Sequence, residues 1–281
     1  MSHSTAGPRG ESVPRGDSAP KGDTVPAVLR RERMAELIAA RGFLRVSDLS
    51  DTFGVSEVTV RSDLAVLDDD QLIRRVHGGA VPRGRRVPEA SFEKSLEASA
   101  LAKRAIGSHA AALVSSGQSI LLDVGTTALA VAQALAARED LEDLVIITNG
   151  LNIALELEAQ IPRFTIIVTG GALRPLQHSL VHPLARTVLD QVHADIAFIG
   201  CNGVDSVAGV TNVNLPEAEV KQLMVGSADR VVVLADATKL GQVSLGAVCG
   251  IEAIDVLVTS DGADATVLAD LTAAGIEVVT A

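Results

Sequence analysis

The run Asp123-Val124-Gly125-Thr126-Thr127 closes an apolar stretch, SILLD, and opens a helical one. Two hydroxyls and the first backbone N–H groups of a helix then face whatever lies at the helix start, which suits a phosphate. A glycine loop after a strand is often only a tight turn. Here, however, similar clusters end other apolar runs: Thr148-Asn149-Gly150, Gly170-Gly171, Gly200 to Gly203, and Asp236 to Gly241. Lys221 and Lys239 are candidate cations for such a site, and each reads equally well as a surface lysine, the commoner fate of that residue. Glu217 is a candidate base for moving a proton beside a carbonyl.

A second constellation lies nearer the N-terminus. From Ser56, an N-cap residue, a short helix runs to about Leu67, with Val60, Leu64 and Leu67 on one face. Val58, Arg61, Ser62 and Ala65 point the other way, with Thr59 on the flank. Arg61 can bond guanine or phosphate, Ser62 and Thr59 can bond either, and Val58 can touch a thymine methyl. A hairpin follows: Leu72–Arg75 as one strand, His77-Gly78-Gly79 as the turn and Ala80–Val81 as the return, placing Arg74, Arg75 and His77 near a duplex backbone. Taken alone, the helical part is matched by an ordinary solvated corner. The basic hairpin in the right order moves the balance to double-stranded DNA.

Periodicity supplies the elements that hold these residues. Two helices precede the DNA-facing one, one over about Ala27–Ala40 and one starting after Ser47 as its N-cap. Beyond about residue 101, the apolar runs SILLD, LVIIT, FTIIVTG, DIAFIG, RVVVLAD, DVLVTS and IEVVT alternate with helical stretches. That rhythm predicts a mostly parallel α/β sheet with helices on both faces, and ligands then bind where strands end and helices begin. The domains expected are a disordered Pro/Gly-rich tail over 1–26, a winged helix–turn–helix over 27–82, a linker over 83–100 carrying Arg83, Arg85 and Arg86, and an α/β effector-binding and oligomerisation domain over 101–281.

The net charge of −11 at pH 7 conceals an asymmetry. Residues 27–88 carry eleven Lys/Arg against nine Asp/Glu, whereas residues 89–281 carry ten against twenty-three. The acid thus belongs to the second module, and the overall charge does not argue against DNA binding. No run reaches the length of a membrane span, no signal peptide is evident, and Cys201 and Cys249 lack CxxC spacing, which suits a reducing cytoplasm. Neither GxGxxG nor a Walker A run occurs, and scattered histidines without HExxH predict no metal and no cofactor. With no Trp and no Tyr, base stacking on single strands is not expected.

The run VSDLSDTFGVSEVTVRSDLAVLDDDQLIRRVHGGAV resembles the N-terminal winged helix–turn–helix of the DeoR family of bacterial transcriptional regulators. Ser62 stands where that family commonly has a second arginine. The pieces LLDVGTTALAVAQAL, IITNGLNIA, VTGGAL, DIAFIGCNGVD, GVTNVNLPEAEVKQLMV and VVVLADATKLG are similar to the family's C-terminal domain, which is in turn similar to ribose-5-phosphate isomerase. The resemblance implies Asp123, Gly125, Thr126 and Thr127 around a phosphate, Thr148, Asn149, Asn202, Glu217, Asp236 and Lys239 around a sugar, and Arg174 as a further phosphate contact. His182 stands where the family often has glycine. The function it implies is a repressor of sugar-metabolism genes, a homodimer or higher oligomer on operator DNA, tuned by a phosphorylated sugar. The rival is an active sugar-phosphate isomerase with a DNA-binding head. Catalysis is not expected, because the CNGVD and GVTNVN stretches lack a cation until Lys221.

Overall fold

The computed structural model describes residues 26–70, 72–76, 78–82 and 89–281. All but Pro26 of the expected tail lies outside them, as do His77 and the arginines Arg83, Arg85 and Arg86. The N-terminal elements are α1 (Ala27–Arg41), β1 (Leu44–Arg45), α2 (Val46–Phe53), α3 (Glu57–Asp69), β2 (Ile73–Val76) and β3 (Gly79–Pro82). Met34 and Ile38 of α1, Leu49 of α2, and Val60, Leu64 and Leu67 of α3 share one buried cluster with Leu44, Ile73 and Ala80. The i, i+4, i+7 stripe of α3 therefore packs inward as its spacing predicts. Asp63 ties α3 to α1 through a 2.7 Å ion pair with Arg30.

Two details differ from expectation. Ser47 is not the cap of the second helix: α2 starts two residues earlier, after Arg45, and the Ser47 hydroxyl bonds Asp48 instead. The wing accounts for this, because the Gly78 carbonyl accepts from the Val46 N–H at 2.9 Å and provides a partner at the helix start. The wing is also three-stranded, in the antiparallel order β1-β3-β2, and its first long strand begins at Ile73, leaving Leu72 exposed. A two-residue strand such as β1 is too short to show alternation.

The larger domain begins after α4 (Phe92–Glu97) and α5 (Ala100–Ala112), which are separated by Ser99 in a left-handed conformation. Then come β4 (Ser119–Leu122), α6 (Thr126–Ala137), β5 (Leu144–Thr148), α7 (Leu151–Leu157), β6 (Phe164–Val168), β7 (Ala172–Arg174), β8 (Ser179–Val181), α8 (Leu184–Leu189) and β9 (Ala194–Gly200). The chain continues through β10 (Gly203–Asp205), β11 (Gly209–Asn212), α9 (Leu215–Gly226), β12 (Ala228–Leu234), β13 (Gly246–Cys249), β14 (Val256–Thr259), α10 (Ala265–Ala273) and β15 (Glu277–Thr280).

The seven apolar runs become a seven-stranded parallel sheet in the order β15-β14-β12-β9-β4-β5-β6. Alternate residues of its strands enter opposite cores. Ile120, Leu122, Phe198 and Val232 pack with α5, α6 and α7, whereas Leu121, Ala197, Ile199 and Val233 pack with α8, α9 and α10. Chain order runs outward in both directions from β4, so β4 and β9 flank the topological switch point, where such sheets open a crevice for ligands. A second sheet, β10-β11-β13, and the hairpin β7-β8 are antiparallel additions near that edge. No helix among the described residues is long and apolar enough to cross a membrane.

The two domains touch. Arg45 of β1 pairs with Asp270 of α10 at 2.7 Å and donates to the Ser206 hydroxyl at 3.1 Å.

Helices α5 and α6 pack closely because Gly107 has no side chain: a Cβ there would lie 2.6 Å from the Ala130 carbonyl carbon. Gly107→Val should destabilise the domain by about 1–3 kcal/mol through overpacking. A denaturant titration measures this, and an unchanged midpoint would show that the two helices can separate freely.

Candidate functional site

Helix α6 opens at the switch point with Gly125 as its N-cap, at φ 116° and with no side-chain cap. A side chain rarely adopts that φ, so glycine is required here, and the first N–H groups of α6 are left without intrahelical partners. They face a cavity of about 240 Å³ lined by Gly125, Thr126 and Thr127, and also by Asn202, Glu217, Lys221, Asp236 and Lys239. The polar clusters at several strand ends thus do converge on one place. Asp236 turns the loop before Lys239 by accepting from the Thr238 N–H (3.1 Å) and hydroxyl (2.5 Å). Asn202 holds the opposite loop by accepting from the Val213 N–H at 2.9 Å.

The other expected residues lie behind the wall. Asp123 is fully buried beneath the cavity, where its Oδ2 accepts from the Gly200 N–H (2.9 Å) and from Lys221. A carboxylate in that position anchors the loop from behind the cavity lining. Thr148 and Asn149 are also buried: Thr148 accepts from the Gly150 N–H (3.0 Å) and Asn149 donates to the Leu180 carbonyl (3.3 Å). They stand at the end of β5, one strand farther from the switch point, and Asn149 holds β8 in place. Arg174 is screened from the cavity. It pairs with Glu217 and, through both ends of its fork, with Glu89 at 2.6 and 3.2 Å. His182 sits 2.7 Å from Glu219, outside the cavity wall.

Lys221 corrects the expectation that a cation is lost. It is 3% exposed, paired with Asp123, and one helical turn beyond Glu217 on α9. Burial opposes its charge, but Asp123 and Glu217 outweigh this and hold the ammonium above the usual lysine range. Glu217 in turn accepts from the Ser179 hydroxyl at 2.5 Å and pairs with Arg174.

Two residues that the sequence did not point to belong to the site. Lys103, on α5, lines the cavity and donates to the carbonyls of Ser95 and Ala98 (2.7 Å to the latter). Burial, then the neighbouring Lys239 charge, pull its pKa below the ordinary value. Glu89, which also lines the cavity, comes from the connection to the head. Among the described residues, no cluster of three or more His, Cys, Asp or Glu is placed to hold a metal ion.

In the head, Ser56 caps α3 by accepting from the Thr59 N–H at 3.2 Å. Val58 is 74% exposed, and Arg61 and Ser62 are exposed beside it, while Thr59 is half-buried. Arg61 is held to Glu57 at 2.7 Å, an exposed i, i+4 pair whose release costs little. Arg74 and Arg75 are exposed on β2, and Gly78 takes the wing turn at φ 78°. A cation-bearing helix face beside a basic wing is therefore present.

Residues 30–83 match the DeoR-like helix-turn-helix domain, and residues 99–261 match the DeoR C terminal sensor domain. The chain belongs to the DeoR family of transcriptional regulators. Among its relatives, the HTH-type transcriptional regulator GlpR of Haloferax volcanii is 35% identical over 252 residues, 89% of this chain and 96% of that protein. The transcriptional repressor AccR of Agrobacterium fabrum is 34% identical over 238 residues, 83% of this chain and 89% of that protein. Of solved structures, a ribose 5-phosphate isomerase from Methanocaldococcus jannaschii aligns with 49% of this chain and 52% of its own, at 20% identity and a TM-score of 0.37. This DeoR-family chain thus joins a DNA-facing head to a sensor domain whose cavity gathers Lys103, Lys221 and Lys239.

Removing one partner of the Asp123–Lys221 pair leaves a buried charge uncompensated. Lys221→Met should cost about 3–5 kcal/mol, and adding Asp123→Asn should restore much of it. Chemical unfolding of the two variants tests this, and equal stability of both would mean that the pair contributes no coupling. Because the Lys103 pKa is lowered, its charge is lost earlier than usual as pH rises. Affinity for inorganic phosphate should then fall with rising pH before the usual lysine range is reached, and the fall should vanish in Lys103→Met. Calorimetric titration across pH checks it.

Proposed function

We propose that this protein is a repressor of sugar-metabolism genes that binds paired operator half-sites as a homodimer or higher oligomer and responds to a phosphorylated sugar. In this reading residues 27–82 form the DNA-binding domain and residues 101–281 the effector and pairing domain, joined by the 83–100 linker, in the cytoplasm. The observation that carries it is the cavity at the switch point, where an uncapped helix N-terminus and three lysines meet in an otherwise acidic domain. A phosphate bonds helix N–H groups and cations, and sugar hydroxyls bond Asn and Asp side chains of the kind that line the rest of the cavity. In the head, Val58, Arg61, Ser62 and Thr59 read bases, Ser56 and Gly78 set the approach of helix and wing, and Arg74, Arg75 and His77 hold the backbone.

The isomerase alternative needs a free base. Glu217 is engaged by Ser179 and Arg174, so its carboxylate is fixed as a hydrogen-bond acceptor and is poorly placed to shuttle a substrate proton. Binding without turnover is the better reading.

A melting screen with a phosphosugar panel should find a compound that raises Tm and also changes operator affinity, with no isomerisation of the bound sugar. Measurable turnover would favour the enzyme, and stabilisation without any change in operator affinity would reduce the sensor to a passive binder. Arg61→Ala should weaken operator binding by about 1–3 kcal/mol in a gel-shift titration. Intact binding would move the reading face elsewhere.

A further inference from the structure

Residues 89–99, on the path from the head to the sensor, lie along the cavity. Glu89 bonds Arg174 through both carboxylate oxygens, the Ala90 carbonyl accepts from Gln177 at 2.7 Å, and the Phe92 N–H donates to the Leu176 carbonyl at 2.9 Å. The Phe92 ring rests on His178 with centroids 5.2 Å apart. Farther along, Lys103 grips the carbonyls of Ser95 and Ala98. The strap of residues 89–99 is thus bound to the β7-β8 hairpin and α5, and it forms one wall of the cavity.

Within this strap, Glu89 makes a contact that a ligand can copy. A guanidinium fork recognises a carboxylate or a phosphate through two parallel bonds, as it does here. Arg174 has a second carboxylate partner, Glu217, but that one is 4% exposed and anchored by Ser179. Glu89 instead comes from the connection that leads to the head, and it shares the cavity with the α6 N-terminus. A ligand whose phosphate sits at Thr126 and Thr127 can therefore extend toward Arg174.

We infer that Glu89 holds, on Arg174, the place of a second anionic group of the effector, so that a doubly anionic phosphosugar displaces Glu89 and lifts the strap leading to the DNA-binding head. The second group is a carboxylate or a phosphate, as in an aldonate phosphate or a sugar bisphosphate. The inference rests on the cavity's being a phosphosugar site, and it adds the ligand class and the route to the head. The exchange of one carboxylate for another anion keeps Arg174 paired and moves only the strap. That gives the ligand a differential affinity for the two states, which any such switch requires.

The test uses the full chain and four probes: ribose 5-phosphate and fructose 6-phosphate, with one anionic group, and fructose 1,6-bisphosphate and 6-phosphogluconate, with two. The wild type should bind at least one of the latter pair about tenfold more tightly than either monophosphate, the effect of one charge-assisted contact. Which of the two binds distinguishes a second phosphate from a carboxylate. Glu89→Gln, isosteric and without the competing charge, should tighten the doubly anionic probe about tenfold further and change the monophosphates much less. Without any ligand, it should also speed amide exchange in residues 89–99 while leaving β9 unchanged. Arg174→Gln should abolish the preference for two charges.

Equal affinity for the two probe classes, no binding by any of the four, or unaltered strap exchange in Glu89→Gln would overturn the inference. Should Glu89→Gln fail to fold, the wild-type comparison decides alone. A monophosphate that binds and changes operator affinity equally in the wild type and Glu89→Gln would sink the latch and leave the phosphosugar reading standing. Strap release in Glu89→Gln together with tighter binding of a doubly anionic probe, but with operator affinity unchanged on binding, would keep the latch and count against the repressor reading.

Discussion

The buried pair between Lys221 and Asp123 is the contact on which the sensor's geometry depends. Asp123 directly follows β4, Lys221 lies on α9, and the Gly200 N–H that shares the Asp123 carboxylate ends β9. Three chain segments that are far apart in sequence meet at one carboxylate. Two isolated charges would be costly at this depth, so their mutual attraction and the extra N–H donor must offset most of the desolvation. The geometry is accordingly narrow. With Asp123 fixed, Gly125 and the start of α6 are fixed, and Glu217, one turn from Lys221, carries the network on to Arg174 and Glu89.

The same network explains where an acidic domain keeps its positive charge. Residues 89–281 contain ten Lys/Arg, and four of them, Lys103, Arg174, Lys221 and Lys239, stand in or directly behind the cavity wall. Most of the remaining carboxylates face solvent, where they repel nucleic acid, and the exposed arginines Arg61, Arg74 and Arg75 lie in the head. Charge segregation thus separates the two binding tasks within a single chain. Arg45, bonded to both Asp270 and Ser206, is one point at which the two regions touch.

Legibility followed the physics of each element. The seven core strands were readable because a parallel strand covered on both faces must be apolar throughout. The strands β7, β8, β10, β11 and β13 were not, since runs of three or four residues are too short to carry a period. Gly125, Thr126, Thr127 and Asp236 line the cavity, in keeping with the rule that ligands gather at strand ends, whereas Thr148 and Asn149, at the end of a strand one place removed, are buried behind it. Lys103 and Glu89 were missed for a different reason: they precede β4 in sequence and reach the site only through the packing of α5 and the strap. A lysine on an amphipathic helix reads as a surface residue until its neighbours are known. Ser47 was misread because the partner for its helix start comes from the wing, 31 residues away at Gly78.

The Phe92 ring against His178 has an optical consequence. The chain contains no Trp and no Tyr, so it is nearly dark in the near ultraviolet. An indole placed at Phe92 would be its sole strong emitter, resting against an imidazole that quenches it by contact. The brightness of that one fluorophore would report directly on the separation of strap and hairpin, against a background that the rest of the molecule leaves empty.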